Sequence, residues 1–178
     1  MRPNIFLSCA VLLTGAALMG ADSPNRRAPG FALPDSKMQV YDLADYRGKL
    51  VLLEFMQTTC PHCATFAAIL NEAQQKYGER IQILAVANSG HDNATTVAQY
   101  TAGHQVHYPV LFDAGQMAYS YFRSTSFDNP HIYLIDANGN IKSEFGYGPM
   151  TKEIFEGQAL FPEIDRLLAA GAPGSRKK

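Results

Sequence analysis

Two cysteines stand between a strongly apolar run and a helical pattern, and this junction constrains the fold more than any other part of the chain. LVLLEFM, residues 50–56, is almost unbroken in its apolar character, which is typical of a strand buried on both faces of a sheet. TTCPHCATF, residues 58–66, follows it and places Cys60 and Cys63 three residues apart. Apolar or small residues then recur at helical spacing as far as Tyr77, and a glycine follows. The sequence therefore predicts a strand, a two-cysteine turn and a helix in direct succession.

Strand and helix patterns alternate through the rest of the chain. An entry hairpin is predicted over 31–49, before the apolar strand. After the helix come a buried strand, a helix, a short extended piece, a short helix, a hairpin with an Asn-Gly turn and a final helical stretch. Their predicted ranges are 81–87, 93–103, 108–113, 115–122, 131–136 with 141–147, and 151–170 with a break near Gly157 or at Pro162. This order predicts an α/β fold with a mostly parallel sheet, helices on both faces and an antiparallel hairpin at one edge.

The first residues have the anatomy of a secretory signal peptide. After a single arginine, fifteen consecutive residues carry no charge, and small residues follow them. This run is shorter than the about 20 residues that a membrane span needs. We therefore expect a signal peptide over 1–21, with an uncleaved N-terminal anchor as the alternative. A flexible leader over 22–30, one domain over 31–171 and a basic tail over 172–178 complete the predicted organisation.

Charge excludes one class of partner, and the leader indicates a compartment. The chain has 15 Lys and Arg against 16 Asp and Glu, and five of the basic residues lie near the ends, at Arg26, Arg27, Arg176, Lys177 and Lys178. The predicted domain is therefore acidic, and nucleic acid is a poor candidate partner. We expect a periplasmic or otherwise exported monomer that meets a membrane only if the leader is uncleaved. In such an oxidising compartment a close cysteine pair is free to form a disulfide.

Cys60 and Cys63 fit a redox pair better than a structural staple or a metal site. A disulfide across so small a loop removes little entropy from the unfolded chain. As zinc ligands the pair offers two thiolates beside one awkwardly placed imidazole, without a second cysteine pair. Residues three apart on a helix are neighbours, however, so the two sulfurs can bond with little backbone movement. The spacing therefore indicates a disulfide that opens and closes.

The position of the pair at a helix start indicates which thiol ionises first. We expect Thr59 to cap the helix through its hydroxyl, which places Cys60 in the first turn. Exposed amide groups there favour an anion, so Cys60 should form a thiolate more readily than Cys63. Pro61 suits a position whose N–H is not needed, and His62 would add a second stabilising charge when protonated.

The strand–CPHC–helix unit, together with a proline directly before a later strand in Asn129-Pro130-His131, resembles the thioredoxin superfamily. The leader, the entry hairpin and the pattern FALPDSKMQVYDLADYRGKLVLLEF look like the exported TlpA/ResA-like branch of thiol-disulfide oxidoreductases, which is AhpC/TSA-redoxin-like. The resemblance covers about residues 28–170. It implies a thioredoxin-like fold, in which helices flank a central mixed β-sheet, with an N-terminal β-hairpin extension.

The same resemblance implies a function. A protein of this branch is an exported thiol-disulfide oxidoreductase that exchanges disulfides with protein partners and with an upstream redox donor or acceptor. The branch is associated with cytochrome c biogenesis. Its redox-active disulfide, here Cys60–Cys63, serves in place of a bound cofactor or metal.

Carried over residue by residue, the resemblance makes Cys60 the exposed nucleophile and Cys63 the buried resolving thiol. Pro130 would be the cis-proline that faces the sulfurs, and Glu54 the buried acid of thioredoxins. A buried acid there should titrate high and move protons for Cys63, whereas a strand edge would leave Glu54 half-exposed without a role. The residues expected to contact substrate are Pro61, His62, Asn129 and His131.

The chain departs from the family pattern at two positions, which bear on partner recognition. Thr59 precedes the first cysteine where tryptophan is usual, and Asn129 precedes the proline where threonine or valine is frequent. The plainer interpretation of His131 is an exposed strand residue without a role in the site.

The histidine within the motif bears on redox poise. CPHC is also the arrangement of the strongly oxidising DsbA family, whereas the TlpA/ResA branch is generally reducing. A stabilised thiolate at Cys60 favours the reduced form, because the disulfide has no charge to stabilise. From His62 we therefore expect a reduction potential above that of thioredoxin.

Two other functions of the same fold remain as alternatives. A peroxiredoxin-like thiol peroxidase would carry proline seven and threonine three residues before the reactive cysteine, where this chain has Leu53 and Gln57. A copper-binding assembly factor would combine the two cysteines with a distant histidine such as His131, although such proteins usually space their cysteines more widely. Disulfide exchange is therefore the principal hypothesis.

Overall fold

The computed structural model describes residues 25–113, 115, 117–122 and 128–171. The expected signal peptide over 1–21 and the basic tail over 172–178 lie outside these residues. Across the described ranges, no helix combines the length and the apolar character that a membrane crossing requires.

The described strands form a central mixed sheet and a separate hairpin. In chain order they are β1 (Arg26–Arg27), β2 (Ala32–Pro34), β3 (Val40–Asp42), β4 (Leu50–Met56), β5 (Ile81–Ala87), β6 (Val110–Phe112), β7 (His131–Ile135) and β8 (Asn140–Gly146). The central sheet has the order β1-β8-β7-β4-β5-β6, while β2 pairs with β3 as the predicted entry hairpin. β4, β5 and β6 run parallel, whereas β7, β8 and β1 pair antiparallel.

The predicted central mixed sheet is confirmed, but its antiparallel part is larger than the sequence pattern indicated. The β7–β8 hairpin was expected at an edge of a mostly parallel sheet. Instead β7 pairs directly with β4, and β1 extends the sheet beyond β8. The difference arises because strand order depends on long-range pairing, which local periodicity does not encode.

Five α-helices are described: α1 (Pro61–Tyr77), α2 (Ala94–Gly103), α3 (Ala118–Tyr121), α4 (Lys152–Phe155) and α5 (Leu160–Gly171). Each lies in, or within one residue of, a range that the sequence predicted, and the last predicted stretch is broken at Gly157. Side chains of α1, α2, α4 and α5 form an apolar core on one face of the sheet. The entry hairpin and α3 cover the other face.

The flexible leader predicted over 22–30 is corrected for its described residues. Arg26 and Arg27 pair with β8, and Ala28 is buried in the core beneath the hairpin. The Arg26 guanidinium also donates to the Tyr121 carbonyl oxygen at 2.7 Å. The sequence could not predict β1, because a strand of two residues shows no periodicity and its partner β8 lies far along the chain.

Side chains of the central strand β4 alternate between the two faces of the sheet, and this alternation places Glu54 on the face covered by α1. All its residues are buried, as the apolar run predicted. Leu52 and Met56 belong to the core under α1, while Leu53 and Phe55 belong to the core under the hairpin. Because side chains alternate along a strand, Glu54 faces α1.

Gly157 fits the break between α4 and α5 for a steric reason. Its φ is +90°, in a region that side chains with a Cβ seldom adopt. A Cβ there would lie 3.0 Å from Cε2 of Phe161 and 3.3 Å from Cγ2 of Ile69. Both the backbone conformation and the packing therefore favour glycine.

We predict that Gly157→Ala lowers the free energy of unfolding by about 1–3 kcal/mol, the usual cost of such a backbone conformation. The matched control is Gly103→Ala, because Gly103 ends α2 and a Cβ there would meet nothing within 4 Å. The control should not lower stability, since alanine favours a helix over glycine. Urea unfolding of the three proteins measures both effects, and equal stability of the two variants would contradict the steric argument.

Candidate active site

The start of α1 places the two cysteines at the end of β4. Cys60 is the N-cap residue, with extended backbone, and its sulfur accepts the backbone N–H of Cys63 at 3.2 Å. Pro61 is the first helical residue, where its missing N–H costs no hydrogen bond. Neither cysteine is bonded in a disulfide.

The expectation that Thr59 caps the helix is wrong by one residue. A tight turn, closed by the Cys60 N–H on the Gln57 carbonyl at 3.0 Å, delays the helix start. The preceding Thr58 has a different role, because its hydroxyl donates to the buried carboxylate of Asp92 at 2.6 Å. Asp92 also accepts the Ser89 N–H at 3.0 Å. This carboxylate, which the sequence analysis missed, ties the loop after β4 to the loop after β5.

Cys60 lies where the active-site turn meets the loop before β7. Its side chain is half-buried, and its sulfur lies 3.7 Å from the Asn129 carbonyl oxygen, to which the thiol donates. The Asn129–Pro130 peptide bond is cis, as the family resemblance implied. Pro130 is buried and Asn129 is half-buried beside the sulfur. The structure thus brings Cys60, Asn129 and Pro130 together.

Cys63 occupies a different environment from Cys60. Its side chain is fully buried in the core under α1. Burial raises the pKa of the Cys63 thiol, and the negative charge of Glu54 raises it further. At neutral pH this thiol is therefore held in its neutral form.

Glu54 is buried on the same face of the sheet as Cys63. It lies between Ala85 on β5 and Ile132 on β7, and its side chain is 1% exposed. Burial raises its pKa well above the ordinary value of a glutamate. Neither carboxylate oxygen has a hydrogen-bond partner among the described residues. The half-exposed alternative for Glu54 is excluded, and the carboxyl group is available to exchange a proton.

Two tyrosines add further buried polar groups to the core under α1. The hydroxyl groups of Tyr100 and Tyr108 are buried, and neither has a hydrogen-bond partner in the described part of the chain. Burial raises the pKa of both, and the charge of Glu54 is the next largest cause. The sequence analysis singled out neither tyrosine. Nothing in the local sequence around a tyrosine in a helix or a loop predicts that its hydroxyl group lies near a buried acid on a distant strand.

His131 is not brought to the cysteines, contrary to its inclusion among the substrate-binding residues. It pairs with Phe55, which faces the hairpin core, and its ring stacks on Tyr133 at 4.8 Å. Its Nε2 lies 3.3 Å from Glu144 on β8. The side chain is buried, so the exposed-strand interpretation is also wrong. The register between β4 and β7 determines which face of the sheet His131 lies on, and the sequence alone does not give that register.

His62 is exposed on the first turn of α1, next to the pair. Its ring stacks on Tyr147 with 4.2 Å between ring centroids and 22° between the planes. The sequence analysis did not identify Tyr147, because it follows β8 and nothing local relates it to the motif.

The geometry also bears on metal binding. Within the described residues, no group of three His, Cys, Asp or Glu side chains is arranged to hold a metal ion. The copper alternative relied on His131 joining the two cysteines, and its ring lies on the opposite face of the sheet. The described cluster therefore offers two sulfurs and a buried carboxyl group, which suit thiol chemistry.

Comparison with known proteins connects this geometry with an activity. The family model of the AhpC/TSA family matches residues 24–144. Thiol-disulfide oxidoreductase ResA of Geobacillus kaustophilus (strain HTA426) is 33% identical over 130 residues, which are 72% of this chain and 72% of that protein. ResA of Bacillus thuringiensis (strain Al Hakam) is 30% identical over 133 residues, 74% of each.

A solved structure agrees with these relatives. The crystal structure of a protein from Chlorobium tepidum, described as a thiol:disulfide interchange protein DsbE, matches with a TM-score of 0.65 and 30% identity. The match covers 80% of this chain and 98% of that one. The chain is therefore similar to thiol-disulfide exchange proteins in both sequence and fold.

We predict that iodoacetamide modifies Cys60 of the reduced protein at pH 7 at least about tenfold faster than Cys63, because only the accessible thiol readily presents a thiolate. Peptide mapping over time measures the two rates. In Cys60→Ser, Cys63 should remain slow, and urea should make it reactive. Faster modification of Cys63 in the folded protein would contradict the assignment of depths.

We predict that Glu54→Gln flattens the pH dependence of stability. The unfolded chain ionises Glu54 near its ordinary pKa of about 4.3, while the folded chain keeps the proton to higher pH. The wild-type free energy of unfolding therefore falls as pH rises from about 4.3 towards the raised pKa, by up to about 1.4 kcal/mol per pH unit.

Urea unfolding of both proteins between pH 5 and 8 measures this difference. Glu54→Gln should gain on the wild type as pH rises, because glutamine cannot ionise. Glu72→Gln is the matched control, since Glu72 is exposed on α1, and it should keep the wild-type slope. Parallel curves for wild type and Glu54→Gln would show that the buried carboxyl group does not titrate abnormally.

Proposed function

Because this chain belongs to the AhpC/TSA family and, within it, to the ResA-like thiol-disulfide oxidoreductases, we propose that Cys60 and Cys63 are its redox-active pair. The observation that carries the proposal is the contrast between the two thiols. Cys60 is half-exposed at the helix start beside the Asn129 carbonyl group, while Cys63 is fully buried one turn below. A nucleophile that substrate can reach and a thiol that it cannot reach are what stepwise exchange requires.

The proposed reaction proceeds through a mixed disulfide. The Cys60 thiolate attacks one sulfur of a substrate disulfide, and the other substrate sulfur leaves as a thiolate. Cys63 then loses its proton and attacks the Cys60 sulfur, which releases the second substrate thiolate and forms the Cys60–Cys63 disulfide. Two electrons pass from the enzyme to the substrate, and an upstream dithiol restores the pair. With an oxidant instead, the same steps run in reverse.

We assign to Glu54 the proton transfer of the second step. Cys63 must ionise while buried, and burial opposes the charge. Glu54 lies on the same buried face, with carboxylate oxygens that have no hydrogen-bond partner among the described residues. When Glu54 is ionised, the thiol proton can pass to its carboxylate, so one buried negative charge moves from oxygen to sulfur and no second charge is added. Because burial raises the pKa of Glu54, the ionised form becomes more abundant as pH rises.

The proposed partners are proteins that carry thiols or disulfides, in an exported compartment. Cys60 lies at an open surface beside the exposed Pro61 and His62, which suits an extended polypeptide better than an enclosed small molecule. The half-buried Asn129 borders the same surface. The exported location rests on the leader over 1–21, and the chemistry needs no cofactor beyond the cysteine pair.

A thiol peroxidase is the second candidate, since AhpC/TSA proteins share this fold. It is less well supported, because Leu53 is fully buried in β4 and Gln57 closes the turn before Cys60, at the two positions where the peroxidase signature has proline and threonine. The two functions predict opposite results with the same protein.

We predict that the reduced protein reduces a model disulfide protein such as insulin in the presence of dithiothreitol, and consumes hydrogen peroxide negligibly. Cys60→Ser should abolish disulfide reduction, while Cys63→Ser should accumulate a mixed disulfide through Cys60, visible by mass spectrometry. Circular dichroism of both variants checks that the fold is intact. Rapid, saturable peroxide consumption that Cys60→Ser removes would favour the peroxidase instead.

A further inference from the structure

Tyr147 connects the two halves of the active site. Its ring stacks on the imidazole of His62, which belongs to the CPHC turn, at 4.2 Å and 22°. Its backbone N–H donates to the Pro130 carbonyl oxygen at 3.0 Å, and Pro130 belongs to the loop beside Cys60. One residue after β8 therefore contacts both segments that meet at the reactive sulfur.

The Tyr147 ring also packs against buried aromatic side chains of the core. Phe155 packs edge-on against it at 5.4 Å, and Phe155 packs in the same way on Phe66 at 4.9 Å. Phe66 lies on α1, one turn beyond His62. The ring thus has one face or edge on buried aromatic groups and presents the other to the exposed imidazole.

The loop that carries Tyr147 is also braced. The hydroxyl of Thr151 donates to the Gly146 carbonyl oxygen at 2.6 Å and approaches that of Gly148 at 3.2 Å. The Thr151 N–H donates to the Gly148 carbonyl oxygen at 3.1 Å. These bonds close a turn directly after Tyr147, so the ring stacks from a fixed position rather than from a mobile loop.

This arrangement affects charge as well as position. An exposed imidazole without a neighbour samples several rotamers, and stacking restricts it to the side of the turn that faces Tyr147. The face of an aromatic ring attracts a cation, so a protonated imidazole also packs favourably on the Tyr147 ring. The titratable groups of the segments that meet here are Cys60, His62 and Cys63 on the turn, Asp128 in the loop before β7, and the Tyr147 phenol. Helix α4, which packs on the Tyr147 ring through Phe155, adds the exposed Lys152 and Glu153. His62 is two residues from Cys60 at the same helix start, so a positive charge on its imidazole favours a negative charge on the Cys60 sulfur.

We propose that Tyr147 is a positioning residue of the redox pair: its ring holds the His62 imidazole against the CPHC turn, where a cationic imidazole stabilises the Cys60 thiolate. The inference rests on the proposed function, because it assigns to Tyr147 control of the potential at which that function operates. Only the reduced form carries the thiolate, so its stabilisation favours the dithiol over the disulfide. Tyr147 therefore makes the disulfide more oxidising.

The test compares Tyr147→Leu with Tyr147→Phe. Phenylalanine keeps the ring and the stack, whereas leucine keeps apolar packing on Phe155 but removes the aromatic face. Equilibration with glutathione buffers at pH 6 measures the equilibrium constant between dithiol and disulfide. We expect Tyr147→Leu to shift it about threefold towards the disulfide, which lowers the potential by about 14 mV. Tyr147→Phe should leave it within experimental error of the wild type.

The same pair of substitutions in a His62→Gln background separates positioning from general structure. If Tyr147 acts through His62, Tyr147→Leu should have no further effect there. Two results would overturn the proposal. One is a threefold shift from Tyr147→Leu that persists in the His62→Gln background, and the other is no shift from Tyr147→Leu when His62 is present.

Cys60 alkylation at pH 6 gives a readout that does not depend on disulfide exchange. It should slow about threefold in Tyr147→Leu and remain unchanged in Tyr147→Phe. Failure of the wild type to exchange disulfides would overturn the proposed function, while the alkylation rates would still decide whether Tyr147 acts on Cys60 through His62.

Discussion

The tight turn between β4 and α1 determines where the rest of the site lies. β4 is buried on both faces, so its end is fixed relative to the sheet. The Cys60 N–H closes the turn on Gln57, and the Cys63 N–H closes the first helical turn on the Cys60 sulfur. Successive helical residues rotate by about 100°, so a helix that began one residue later would direct Cys63 away from the core. The difference in depth between the thiols follows from this one turn.

Much of the fold follows from local patterns that are unusually strong in this chain. β4 is a continuous apolar run, α1 repeats apolar residues at helical spacing up to Tyr77, and an Asn-Gly turn joins β7 to β8. Each pattern spans enough residues to exclude the competing structure. The closeness of Cys60 and Cys63 also follows from spacing alone, because a helical turn brings residues three apart together.

The remaining features depend on contacts between distant segments. β1 is too short to carry a pattern, and the face on which His131 lies depends on the register between β7 and β4. His131 and Tyr133 meet Glu144 there; burial opposes ionisation of Glu144, but these partners and Arg26 hold its pKa below the ordinary value. The stacking of Tyr147 on His62 likewise depends on a contact between segments that are distant in the sequence. Such sites become visible only once the strands are placed.

The two thiols lie at different depths, and in the proposed exchange this difference sets the order of the two steps. Cys60 is half-exposed beside the exposed His62, so another sulfur can reach it from solvent. If Cys63 were ionised in the resting enzyme, its negative charge would oppose the formation of a thiolate on the neighbouring Cys60. Burial and the charge of Glu54 both raise the pKa of Cys63, so the buried thiol stays protonated until the proposed second step. The proposed second step must release the Cys63 proton inside the core. We propose that the ionised form of Glu54 receives it, since neither of its oxygens has a hydrogen-bond partner among the described residues.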